Sequence, residues 1–165
     1  MNDLDRRGFT ACLMHSALAA GTTTTYTTVE VTNYAINGKT YTKAAATNAA
    51  TPTTDINTGV AFVGVEGDEA SVFVLGYNAA GTILCAQGDI VATDGAADGA
   101  SATLPGLPNF PTLPEDFCPI GYVVVKVGTS AATWTFGASN LAGPPTNTGI
   151  DVQAVMVLPN RPQSS

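Results

Sequence analysis

The chain has 165 residues, of which 45% are hydrophobic and only 12% charged, and it carries a formal net charge of -7. That length allows one domain with a core of its own and gives no reason to expect a second. The charge argues against nucleic acid as a partner, because the six basic residues, Arg6, Arg7, Lys39, Lys43, Lys126 and Arg161, form no stripe able to neutralise a run of phosphates.

The charged share is about half of what a soluble domain usually carries, so part of the surface is expected to lie against other subunits. Residues 3–20 read as a short helix or ordered arm. On a helical wheel Phe9, Cys12, Leu13 and Ala17 share one face while Met14 and Leu18 occupy another, so the segment is apolar all round. Such an arm is expected to be buried by a neighbouring subunit, and removing residues 1–20 should then leave the rest folded. The paired arginines, apolar stretch and small-residue end also match a twin-arginine export signal, a reading that implies cleavage. No run approaches the roughly 20 apolar residues of a membrane span, and no membrane partner is expected.

GTTTTYTT leads into VEVTNYAINGKTYTK, where Asn37-Gly38 separates two alternating runs. Both central residues of a two-residue hairpin need positive φ, which this dipeptide supplies, so strands are predicted at 27–36 and 39–44. A polar connection follows, in which Pro52 excludes a continuous helix and residues 44–50 can form at most a single helical turn. Three strands, 60–66, 71–77 and 82–91, read as a meander. A long excursion occupies 92–118. YVVVKVG and TWTFG then suggest a second hairpin, and IDVQAVMVL is the last strand before a tail at 159–165. With no alternation of strands and helices, the expected fold is all-β: an antiparallel β-sandwich or jelly-roll-like domain over 29–158, preceded by an arm at 1–28.

The excursion contains LPGLPNFPTLPE, with proline at 105, 108, 111 and 114, each after a large apolar residue. Proline fixes its own φ and biases the preceding residue to extended backbone, so a stiff polyproline II strap is predicted. Three residues per turn sort it into ridges: the prolines, then Leu104, Leu107, Phe110 and Leu113, then the polar ridge Gly106, Asn109, Thr112 and Glu115. The strap must lay its two apolar ridges on something. A ligand for an SH3 or WW groove would carry a flanking base, and here the neighbours are Glu115 and Asp116. The chain's own sheet and a neighbouring subunit remain as beds, with Tyr122, Trp134 and Phe136 as candidate aromatic floors.

Chemistry-bearing patterns are sparse. His15 is the one histidine and is read as a packing or capping residue. Cys12, Cys85 and Cys118 are widely spaced, without the paired spacing of a zinc site or a disulfide framework, and are read as buried free thiols. No nucleophile elbow, phosphate loop or dinucleotide fingerprint is present. Asp94 and Asp98 in TDGAADGAS fail the calcium-loop pattern and read as turn aspartates. No cofactor and no catalytic residue is assigned.

INGKTYTKAAATNAATPTTDINTGVAF, SVFVLGYNAAGTILCAQGD, LPEDFCPIGYVVVKVG, TWTFGASN and VMVLPNRPQ together resemble the head decoration, or cement, proteins of tailed bacteriophages. The resemblance implies a non-enzymatic virion protein, β-rich and trimeric, that sits on the outer surface of the capsid. There it would clamp neighbouring capsomers through the major capsid protein. The acidity of the chain suits that outer face, because it repels packaged DNA. The resemblance carries no binding residues with it; Phe9, Leu13, Met14 and Leu18 of the arm and Leu104, Leu107, Phe110 and Leu113 of the strap are the expected interface with partner or subunit. A tail-fibre or receptor-binding module is the alternative. Its loops at 92–103 and 138–149 would grip glycans, but they are built from Ala, Gly, Asn and Thr and hold no aromatic residue.

Overall fold

A computed structural model describes residues 9–163, which form eleven strands and no helix. In chain order these are β1 (Ala11–Cys12), β2 (Leu18–Ala20), β3 (Thr25–Thr28), β4 (Thr32–Ile36), β5 (Lys39–Lys43), β6 (Ala46–Ala50), β7 (Glu69–Tyr77), β8 (Ile83–Gln87), β9 (Val91–Ala92), β10 (Cys118–Val127) and β11 (Thr148–Ala154). They make three antiparallel sheets: β11-β10-β7-β8, with β9 also paired to β7, and two three-stranded sheets, β1-β4-β5 and β2-β3-β6. The all-β antiparallel class follows as expected, in a sandwich-like arrangement.

The largest sheet is built on β7 and β10, whose residues are buried almost without interruption. A sheet solvated on one face would alternate; this one has both faces covered. On one side Phe73, Leu75, Tyr77, Val123 and Val125 pack with Cys12, Leu18, Tyr26 and Tyr34 of the small sheets and with Phe62, Trp134 and Phe136. On the other, Val72, Val74, Tyr122 and Val124 are covered by Leu104, Phe110 and Leu113 of the strap, with Ile56, Leu84 and Leu158 beside them. The register puts Phe73 opposite Val123 and Val74 opposite Tyr122, so each strand divides its side chains between the two cores.

The hairpin forms where Asn37-Gly38 indicates. Ile36 pairs with Lys39, and the two turn residues take φ of 51° and 75°. Other expectations are corrected. No helix occurs within 9–20: that segment is strands β1 and β2, paired with β4 and β3, and Cys12 and Leu18 are buried in the main core. Residues 1–8 of the expected arm, Arg6 and Arg7 among them, lie outside the described residues. The predicted strand 27–36 divides into β3 and β4, which belong to different small sheets. Residues 44–50 supply strand β6 in place of a helical turn, with Asn48 at a φ of 50°.

Residues 60–66 form no continuous strand, only the bridges of Ala61 to Thr54 and Val65 to Trp134. Strand 82–91 splits into β8 and β9, both on β7. TWTFG is no hairpin partner of β10, which instead pairs with β7 and β11. Trp134 is drawn away by packing: its ring lies edge-on to Phe73 at 5.6 Å, and its indole N–H donates to the Asn140 carbonyl. The tail is also tied down, since the Gln163 amide donates to the Tyr122 hydroxyl at 2.9 Å.

Candidate functional site

Extended backbone with no ladder of its own needs an apolar bed, and residues 104–115 find one on the second face of the large sheet. Gly106, Asn109, Thr112 and Glu115 are all exposed, as the three-residue repeat requires. Phe110 sets its edge against Tyr122, ring centroids 5.1 Å apart. Tyr122 is therefore the aromatic floor. Trp134 and Phe136 are not, because they face the opposite core with Phe73. Leu104, Phe110 and Leu113 are half-buried on their own chain, and Leu107 is half-buried at the rim of two surface cavities.

The N-terminal residues divide. Leu18 is 6% exposed and belongs to the core, so its place is internal and not on the outer surface of an arm. Phe9, Leu13 and Met14 do reach solvent, at 63%, 37% and 47% exposure. Strand β1 and the residues after it run in a cleft between β4 and the chain beyond β11. The Leu13 amide donates to the Asn33 carbonyl at 2.7 Å, and the Cys12 amide to the Met156 carbonyl at 3.2 Å. Asn33 Nδ2 contacts Met14 Sδ at 3.0 Å.

These bonds set the segment carrying Leu13 and Met14 beside those carrying Asn33 and Met156; Met156 and the Val157 after it are exposed as well. Val31, also exposed, lies just before β4 and two residues before Asn33. Exposed apolar residues thus lie on three neighbouring stretches of chain: 13–14, 31 and 156–157. Methionine at two of these positions suits an adaptable contact. Val31, Met156 and Val157 were not among the residues picked out from the sequence, because each reads there as part of a strand. Only the exposure of strand ends in three dimensions distinguishes them.

His15 follows Met14 and is held in place. Its Nδ1 accepts the Ala17 amide at 3.2 Å, which leaves Nε2–H to donate to the Ala154 carbonyl at 3.1 Å. Ala17 has a φ of 48° at this turn, which the imidazole staples to the end of β11. Among the described residues no group of three or more His, Cys, Asp or Glu side chains is gathered as a metal site would need. Nor is any helix long and apolar enough to cross a membrane. Comparisons with protein-family models, with curated proteins and with solved structures return no match.

Proposed function

We propose that the chain is a non-enzymatic decoration protein of a tailed-phage head, docking on the major capsid protein through the surface formed by Leu13, Met14, Val31, Met156 and Val157. The observation that carries this reading is the exposure of these five large apolar side chains on segments that backbone bonds of Cys12 and Leu13 hold side by side, in a chain with only 12% charged residues. Apolar exposure gathered on neighbouring segments suits a contact face. The net charge of -7 supports a position on the outside of a DNA-filled shell, and the resemblance of its sequence segments to cement proteins points the same way. Self-association as a homotrimer is part of the proposal, since the sparse surface charge suits a chain that is seldom alone.

The test is co-sedimentation with tailed-phage heads prepared without this protein, using the wild type and a Leu13→Lys, Met156→Lys double variant. Both substituted side chains are solvent-exposed, so the variant is expected to melt like the wild type and to lose head binding. Sedimentation velocity gives the oligomeric state in the same preparations. A wild type that ignores heads, or a double variant that decorates them normally, would sink the reading.

A further inference from the structure

Lys126 lies in the middle of the best-paired strand and is only 7% exposed. Its ammonium donates to the Ala102 carbonyl at 3.0 Å, its one hydrogen bond among the described residues. An ammonium has three N–H donors, and a cation removed from water needs them satisfied. A methionine would fill the same space without that cost. The charge gains a purpose if an anion can reach it.

Lys126 lines an open cavity of about 360 Å³, bounded by Ser101 and Thr103 on one side and by Leu104 and Leu107, where the strap begins, on another. The loop that walls it is fixed before any ligand arrives. Asp98 Oδ1 accepts the Ala100 amide at 3.0 Å, and the Thr103 hydroxyl donates to Asp94 Oδ2 at 2.6 Å. The loop also sits close against β10, where a Cβ at Gly99 would collide with the Lys126 carbonyl. With the amides of residues 100–102 and the hydroxyls of Ser101 and Thr103 already bonded, Lys126 is the cationic residue of the lining toward which an incoming anion would turn. The two leucines offer an apolar wall beside it.

We propose that this cavity binds a small aliphatic monocarboxylate, its carboxylate on Lys126 and its hydrocarbon against Leu104 and Leu107. A single cation matches a single negative charge. Asp94 and Asp98, which brace the loop from behind the cavity wall through the Thr103 hydroxyl and the Ala100 amide, disfavour phosphates and other multiply charged anions.

Backbone amide signals followed by NMR during titration of the full chain with hexanoate test the site, with hexanamide as the uncharged control. Hexanoate is expected to move the signals of Ser101, Thr103, Leu104 and Leu107 saturably, and hexanamide to leave them in place. Lys126→Met, which keeps the length of the stem, is expected to weaken hexanoate by about tenfold or more, the worth of one charge-assisted hydrogen bond. Leu107→Ala retains the charge, and it should weaken hexanoate while leaving the weaker acetate response unchanged. A hexanoate response that is absent, that hexanamide reproduces, or that survives Lys126→Met undiminished overturns the proposal. Should Lys126→Met fail to fold, an equal loss of hexanoate and acetate in Leu107→Ala does so.

Discussion

Cys12, Cys85 and Cys118 are all free and buried, and burial raises each thiol above its ordinary value of 9.0. Cys118, with Cys12 nearby, is pushed up to about 12. A thiol whose folded pKa is raised favours the protonated native state. Its contribution to stability is therefore complete below the unfolded value near 9.0 and drains away as pH rises toward about 12. The urea midpoint should accordingly hold steady through neutral pH and fall on the alkaline side. The same burial keeps thiolate scarce, so a disulfide reagent such as DTNB at mildly alkaline pH should label none of the three cysteines until denaturant is added. Rapid labelling of the native protein would contradict this account of the thiols.

The strap is an element whose energy comes from one face of contact. Phe110 is half-buried on Tyr122, so Phe110→Ala should cost about 2 kcal/mol, below the range for a fully buried ring. Asn109 stands on the polar ridge, and its side chain reaches Asp89 Oδ2 at 3.0 Å across exposed surface. Asn109→Ser is thus expected to change stability by less than about 0.5 kcal/mol. Urea unfolding of the two variants checks the ridge assignment; equal losses would mean that the strap is not seated as described. The three-residue spacing of proline, apolar residue and polar residue makes this division legible from sequence, because proline restricts both its own backbone and that of the residue before it. The bed was not legible. Tyr122, Trp134 and Phe136 are equally aromatic, and only the register of β10 against β7 puts Tyr122 on the strap's side.

For the molecule as a whole, the decisive revision concerns the N-terminal segment. An arm that docks elsewhere could be removed without harm, but β1 and β2 complete two sheets, and Cys12 and Leu18 fill the core shared with β7 and β10. The Leu18 side chain also lies over Gly121, where it would meet an added Cβ at 2.5 Å. Deleting residues 1–20 is therefore expected to abolish cooperative thermal unfolding, read by circular dichroism, and not merely to abolish docking. A truncated chain that still melts in one sharp transition would restore the detachable arm. Substitutions at Leu13 and Met156 are the variants that separate docking from folding, because both side chains are exposed while their backbones are bonded.

By itself the sequence determined what short-range restrictions can carry: the all-β class, from β-branched runs and turn residues; the Asn37-Gly38 hairpin, from the φ those residues tolerate; and the three ridges of the strap, from proline. Tertiary structure alone decided which strand lies beside which. That choice turned 9–20 from helix to strands, sent Trp134 to Val65, set the segments of Leu13, Asn33 and Met156 side by side and brought Lys126 to the wall of a cavity. Local backbone preference is written within a few residues. The pairing of distant segments depends on which faces can be buried together, and that is a property of the whole chain.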